Sequence, residues 1–200
     1  MRLVKTKDNS DTFYSDEYEE TFHSVSGAFD EALKKFVLAS SLKEGERVLD
    51  VCFGLGYNTF IAVKNVKNLK IIALEKDRKV LDELQKLEIE GFEFVKRVAS
   101  TGFYENSCSI KLIVGDALET IDQVDEVDVI FHDPFSPKKN PELWTEEFFS
   151  KEYSKLAKGG RLVTYSCAKA VRDNLRKAGF VVEDVAPVGR RGPSTLALKR

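Results

Sequence analysis

Four carboxylates close four short apolar runs: Asp50 after Val48 and Leu49, Glu75 after Ile71 to Leu74, Asp116 after Ile110 to Val114, and Asp133 after Val127 to Phe131. Such runs, bounded by Gly, Pro and Asp, read as strands, and ligands of an open α/β sheet collect at the carboxyl ends of its strands. One acid in that position is unremarkable; four after successive strands point to a single site. The most particular stretch follows the fourth run: Phe131-His132-Asp133-Pro134-Phe135-Ser136-Pro137-Lys138-Lys139-Asn140-Pro141-Glu142-Leu143-Trp144. Pro134, Pro137 and Pro141 forbid helix, fix the path of the loop and leave Asp133 extended at the mouth of the sheet. A rigid loop carrying an acid, aromatic rings and two lysines reads as one that grips a substrate, because function concentrates on loops that a scaffold holds in place.

The segment Arg47-Val-Leu-Asp-Val-Cys-Phe-Gly-Leu-Gly-Tyr-Asn-Thr59 reads as strand, tight turn and helix. Glycine lets backbone approach a ligand closely, and the helix start offers free N–H groups to its polar atoms. A dinucleotide site wants Gly-x-Gly-x-x-Gly; Gly54 and Gly56 fit it, but Thr59 takes the third place. The alternative is an acid at the strand end followed by x-Gly-x-Gly-x-Gly, the S-adenosylmethionine loop of Rossmann-like methyltransferases. Asp50, Gly54 and Gly56 match it, with Cys52 where the first glycine belongs. Glu75 follows Gly56 by 19 residues, where a carboxylate can accept both ribose hydroxyls. Asp116 suits either the exocyclic amine of an adenine or the cap of a helix over 118–121.

These residues need a scaffold, and the remaining pattern supplies one. Helices are expected from Ser26 as cap to about Ser40, with Ala28, Phe29, Leu33, Phe36, Val37 and Leu38 on one stripe, and over 57–66. Further helices are expected after a cap at Asp77, within 91–105, over 142–156 and over 168–177. Strands are expected near 48–51, 70–74, 110–114, 127–131, 162–165, 180–185 and 195–198. Alternating strands and helices mean a Rossmann-like α/β fold around a mostly parallel sheet of seven strands, with one antiparallel strand at its end. Residues 1–25 are polar and aperiodic and read as an extended arm or lid with room for a short hairpin, leaving 26–200 as the core of a single domain.

Composition narrows the class. Hydrophobic residues make up 42% and charged residues 32%, so disorder is excluded. No apolar run approaches the ~20 residues that span a bilayer, and Asp8, Asp11 and Asp16 interrupt any signal-peptide core. Three cysteines without Cys-x-x-Cys spacing argue against a disulfide framework and a zinc site. A cytoplasmic protein without membrane or metal is the expectation. The net charge of -2 hides a split: residues 151–200 hold 12 Lys and Arg against 4 Asp and Glu. A basic region on a near-neutral chain suggests a polyanion partner; the alternative is lysines coating ordinary surface helices.

Asp133 to Trp144 resembles the Asp-x-Phe-x-Pro-x-Lys-Asn-Pro-[Asp/Glu]-x-Trp loop of the MnmC methyltransferases. Phe53, Gly54, Gly56 and Asn58 resemble that family's Gly-Phe-Gly-x-Gly-x-Asn turn, again with Cys52 for the first glycine. The likeness extends from about Tyr14 to the C-terminus and takes in Glu19-Glu20-Thr21 and Gly189-Arg190-Arg191. It implies S-adenosyl-L-methionine as cofactor, held by Asp50, Phe53, Gly54, Gly56, Asn58, Glu75 and Asp116. The implied substrate is a tRNA wobble uridine bearing a 5-aminomethyl group. Bifunctional members add a flavin-dependent oxidase domain that makes this amine; nothing here could form it, so a separate enzyme is expected to supply the substrate.

The implied reaction is attack of the amine on the cofactor's methyl group. An amine with a lysine-like pKa costs roughly 4–5 kcal/mol to deprotonate at pH 7. Asp133, with an ordinary carboxylate pKa, is then expected to orient the amine while solvent takes the proton. Phe135, Lys138, Lys139, Asn140, Trp144, Arg190 and Arg191 are the expected substrate contacts. The four basic residues would meet phosphates. Phe135 and Trp144 would stack on an unpaired base, with the core as the other place for Trp144. His23 and Ser24 either line the pocket or merely lead into a helix, and His132 packs. Two rivals remain: a polyamine aminopropyltransferase, which wants an acid-lined pocket where this chain's late segment is basic, and a tRNA-binding module with a degenerate cofactor loop.

Overall fold

The computed structural model describes residues 1–185 and 194–200. The N-terminal segment is more than an arm: β1 (Arg2–Lys5), β2 (Asp11–Ser15) and β3 (Glu20–Thr21) form a three-stranded antiparallel sheet. Asp8 organises its first turn, accepting from Thr6 Oγ1 and Ser10 Oγ, each at 2.6 Å. The same turn caps the first helix, α1 (Ala28–Glu31). Ser10 Oγ accepts from the Ala28 N–H at 2.9 Å and Asp8 Oδ2 from the Asp30 N–H at 3.2 Å. The cap expected from Ser26 is therefore supplied from across the chain. Helix α1 continues as a π-helix over Ala32–Leu38. The wider winding changes the phase of the apolar stripe: Ala32, Phe36 and Val37 are buried, whereas Leu38, expected on the stripe, is 61% exposed.

Among the described residues the large sheet holds eight strands rather than seven: β4 (Arg47–Val51), β5 (Lys70–Glu75), β6 (Phe103–Glu105), β7 (Ser109–Val114), β8 (Val127–His132), β9 (Leu156–Thr164), β10 (Val181–Asp184) and β11 (Thr195–Leu198). Their order is β10-β11-β9-β8-β4-β5-β7-β6. Neighbours from β9 to β7 are parallel, while β6 and β11 each pair antiparallel. The extra strand β6 hides in a segment expected to be helical, because three residues are too few to show a period of two. Strand β11 lies not at the edge but between β9 and β10.

Helices α2 (Tyr57–Asn65), α3 (Arg78–Leu84) and α4 (Glu93–Thr101) cover one face with the π-helix, and α5 (Ala117–Thr120), α6 (Glu146–Lys155) and α7 (Lys169–Lys177) cover the other. Alternation along the strands divides the core accordingly: Val48, Val129 and Phe131 face the first layer, Leu49, Val51 and Ile130 the second. Burying each such side chain contributes about 1.5–3 kcal/mol. The chain leaves β4 outward through β5 to β7, then returns to β8 on the other side. That reversal opens a crevice at the carboxyl ends of β4 and β8, where α/β sheets bind ligands.

Candidate active site

The turn leaving β4 puts Cys52, Gly54 and Gly56 in the left-handed region, with φ of 66°, 56° and 77°. Glycine is favoured at all three, so Cys52 carries a backbone cost of about 1–2 kcal/mol. At Gly56 a side chain has no room as well: a Cβ there would lie 2.5 Å from Val95 Cγ1 and 2.9 Å from Phe53 Cζ. The Phe53 N–H donates to the Leu74 carbonyl at 2.9 Å, which ties the turn to β5.

Above the turn lies a cavity of about 790 Å³. Of the residues expected to hold a cofactor, Phe53, Gly54, Asn58, Glu75 and Asp116 line it. Glu75 accepts from the Gly54 N–H (Oε2) and the Asp77 N–H (Oε1), both at 2.8 Å, and each oxygen keeps a lone pair for a ligand hydroxyl. Burial pushes its pKa up, and the backbone bonds from Asp77 and Gly54 oppose that. Asp116 caps α5, accepting from the Leu118 N–H at 2.9 Å, so the capping alternative is realised at the cavity wall. Asp50 and Gly56 lie outside the lining. Asp50 is buried against α2, with Oδ2 accepting from Thr59 Oγ1 at 2.7 Å and Oδ1 without a partner among the described residues. Burial raises its pKa to about 7.

Asp133 enters the same cavity from the end of β8, its Oδ2 accepting from Asn58 Nδ2 at 2.7 Å. Cofactor turn and substrate loop are thus joined by one hydrogen bond. The expectation of an ordinary pKa for Asp133 is overturned: burial first, then the charge of Glu31, pushes it well above the usual carboxylate range. Asn58 Oδ1 is buried and unpaired among the described residues, which suits a ligand bringing N–H or O–H donors.

Of the expected substrate contacts, Phe135 and Asn140 line the cavity and Lys138, Lys139 and Trp144 do not. Trp144 is in the core: its ring meets His132 edge-on at 4.6 Å and its Nε1 donates to the Phe135 carbonyl at 2.8 Å. Base stacking by Trp144 is excluded in this arrangement because the indole is buried. Phe135 is itself covered, stacked on Tyr18 at 4.3 Å and edge-on to Phe22 at 4.9 Å. Lys138 is exposed, while Lys139 Nζ lies 2.5 Å from Glu19 Oε2. Glu20 accepts from the Ser136 N–H at 3.0 Å and from the Ser136 hydroxyl. The N-terminal sheet therefore packs on the loop. Arg190 and Arg191 lie outside the described residues. Much of the remaining late positive charge is spent internally: Arg161 pairs with Glu46, and Lys199 donates to the Tyr153 and Leu156 carbonyls.

Several lining residues escaped the sequence reading. Glu31 and Lys35 pair at 2.5 Å and both line the cavity, with Tyr165 near them. Their i,i+4 spacing looks like any solvated helix face; only the π-helix and the packing of Phe36 turn it inward. His23 and Ser24, for which lining the pocket was one of two expectations, do line the cavity, and burial holds the His23 imidazole neutral, with a pKa of about 4. His132 and Glu152 form a fully buried pair at 2.8 Å beneath the loop. Among the described residues the lining carries eight carboxylates and two lysines, Lys35 and Lys76. The basic late segment consequently gives no argument against an acid-lined pocket.

A family model described as S-adenosyl-L-methionine-dependent methyltransferase matches residues 79–200. The chain belongs to this methyltransferase family. A Methanocaldococcus jannaschii protein without an assigned role is 36% identical across 98% of this chain and 59% of its own length. The tRNA 5-methylaminomethyl-2-thiouridine biosynthesis bifunctional protein MnmC of Ralstonia nicotianae is 30% identical across 93% of this chain and 33% of its own length. The chain thus spans less than two thirds of either relative. The crystal structure of MNMC2 from Aquifex aeolicus superimposes with a TM-score of 0.84 at 34% identity, covering 98% of this chain and 69% of that one. The methyltransferase is MnmC-like and uses S-adenosyl-L-methionine. Among its described residues no helix is long and apolar enough to cross a membrane, and no cluster of His, Cys, Asp and Glu could hold a metal ion.

Proposed function

We propose that this methyltransferase methylates the primary amine of 5-aminomethyl-(2-thio)uridine at the tRNA wobble position, giving the 5-methylaminomethyl nucleoside. The observation that carries the reading is the Asp133–Asn58 hydrogen bond, which sets the substrate loop's acid against the cofactor turn inside one acid-lined cavity. The residues present suit the cofactor. Glu75 keeps lone pairs for ribose hydroxyls, Asp116 stands where an adenine amine could meet it, and the unpaired Asn58 Oδ1 suits an ammonium group. When bound, the cofactor supplies an electrophilic methyl group on a positively charged sulfur.

The chain's own residues do the rest. Asp133 accepts a hydrogen bond from the incoming amine and turns its lone pair towards the cofactor side of the cavity. Asn58 fixes the carboxylate from behind. The elevated pKa of Asp133 makes it a better proton acceptor than an ordinary carboxylate, although a cationic amine and a cationic sulfur beside it both draw that pKa back down. The cationic amine first gives up one proton, to Asp133 or directly to solvent, and its freed lone pair would then bond the donor's methyl carbon as the carbon–sulfur bond breaks and a neutral thioether leaves. Phe135, held by Tyr18 and Phe22, screens the cavity from water, so most of the acceleration comes from positioning.

The acid-lined cavity suits any cationic amine, including the acceptor of an aminopropyl transfer, so the donor must decide between them. Lys138 with Arg190 and Arg191 would meet tRNA phosphates. The test is nucleoside analysis of aminomethyl-bearing tRNA after incubation with labelled S-adenosyl-L-methionine. Label in the 5-methylaminomethyl nucleoside supports the reading; transfer to polyamine from the decarboxylated donor, with tRNA untouched, overturns it.

A further inference from the structure

Glu31 and Lys35 are used by neither the cofactor turn nor the substrate loop, yet both face the cavity that Asp133 enters. Their side chains are only 13% and 15% exposed. Glu31 is anchored on one side by the Ser24 N–H, which donates to Oε2 at 2.7 Å, and on the other by Lys35 Nζ at 2.5 Å from Oε1. Lys35 Nζ also stands 5.8 Å from the centre of the Tyr165 ring, and Tyr165 is bonded through its hydroxyl to the Pro134 carbonyl at 3.1 Å. The ion pair thus runs from the Ser24 backbone towards the Tyr165 ring, whose hydroxyl holds the residue that follows Asp133. Glu31 is the strongest charge acting on Asp133, and Lys35 opposes it.

We propose that Glu31 and Asp133 form a two-carboxylate seat for a primary alkylammonium, and that Lys35, paired with Glu31, holds this seat at one net negative charge. The inference rests on the amine-methylating reading above. An amine acceptor makes two opposing demands. It arrives as a cation and needs negative charge to draw it in, but it must lose a proton before its nitrogen can form a bond, and every nearby carboxylate resists that loss. Two uncompensated carboxylates would hold the ammonium protonated; a neutral seat would not attract it. One net charge meets both demands, and Glu31 and Lys35 are the positioning residues that set it.

The experiment is the pH profile of kcat, which reports ionisations in the bound complex, with kcat/KM at pH 7 beside it, on aminomethyl-bearing tRNA at saturating donor, for wild type, Glu31→Gln, Lys35→Gln and the double variant. Glutamine keeps an acceptor for the Ser24 N–H. Glu31→Gln leaves Lys35 uncompensated, so the profile moves to lower pH and kcat/KM at pH 7 falls by about tenfold or more, the loss of one charged hydrogen bond. Lys35→Gln leaves Glu31 uncompensated, and the profile moves to higher pH. The double variant returns towards wild type. The other titratable groups bearing on this position, Asp50 from β4, Cys52 on the turn, Tyr165 beyond β9, Glu20 from β3 and His23 after it, are the same residues in every variant, and burial keeps His23 neutral in the range scanned. A purely structural pair would move both single variants in one direction or leave the profile in place, and either result overturns the seat. If the Glu31 variants do not fold, Lys35→Arg against Lys35→Gln decides: the profile stays for arginine and moves for glutamine, and equal profiles overturn it. A wild-type chain that methylates no amine-bearing tRNA overturns the proposed function and the seat together, whereas an active wild type with unmoved variants overturns the seat alone.

Discussion

Replacing Gly56 by alanine tests the construction of the cofactor turn. At φ 77° an alanine pays the left-handed backbone cost, about 1–2 kcal/mol. Its methyl would also sit 2.5 Å from Val95 Cγ1 and 2.9 Å from Phe53 Cζ, and overpacking of this kind costs about 1–3 kcal/mol. The loss of unfolded-chain freedom returns about 0.4–1 kcal/mol. The expected net effect is a destabilisation of about 1–4.6 kcal/mol, read as a lower urea midpoint with an unchanged slope. Gly45 provides the control: its φ is 79°, yet nothing lies within 4 Å of the Cβ it would carry. Gly45→Ala should therefore cost only the backbone part, about 0–1.6 kcal/mol after the chain-entropy return. Because Phe53 is displaced in one variant and not the other, calorimetry should find weaker S-adenosyl-L-methionine binding for Gly56→Ala alone. If the two alanines cost the same, the close packing of the turn against Val95 and Phe53 is not what makes glycine necessary there.

Asp133→Asn should keep the fold and lower kcat/KM by about 10- to 150-fold, the range for one charge-assisted hydrogen bond; near-normal single turnover would remove Asp133 from the mechanism. Asp50 has its pKa raised to about 7 by burial, so between about pH 4 and 7 the folded state binds more protons than the unfolded one and this residue's contribution to stability declines as pH rises. Asp50→Asn should therefore gain stability relative to wild type at pH 8 more than at pH 4, measured by urea unfolding; an equal difference at both values contradicts the burial argument. Binding of tRNA should weaken steeply with salt, and Lys138→Gln should reduce the slope of log affinity against log salt by about one; a slope unchanged by Lys138→Gln would take that lysine off the phosphate path.

The sequence exposed those parts of the molecule whose causes are local. Strands β4, β5, β7 and β8 announce themselves as apolar runs, and the caps at Asp77 and Asp116 follow from side chains two residues from the N–H groups they bind. Strand β6 stayed hidden because it is held by pairing with β7 rather than by its own pattern. The order β10-β11-β9 likewise depends on pairing at long range. In the site, Glu75 and Asp133 were legible from their places after strands. Trp144 was not settled by its motif, since a ring in a proline-rich loop can point outward or, as here, be drawn onto His132 and Phe149. The ordinary pKa expected for Asp133 failed for the same reason, because burial and the charge of Glu31 come from elements far away in the chain. Glu31 and Lys35 remained invisible because their inward turn comes from a π-helix that no spacing rule announces.

If the cofactor's methyl group is presented to an amine held at Asp133, a crystal structure with S-adenosyl-L-methionine bound will show the ribose against Glu75, the adenine beside Asp116 and the methyl group directed at Asp133. A donor bound outside this cavity, or one whose methyl group points away from Asp133, would contradict it.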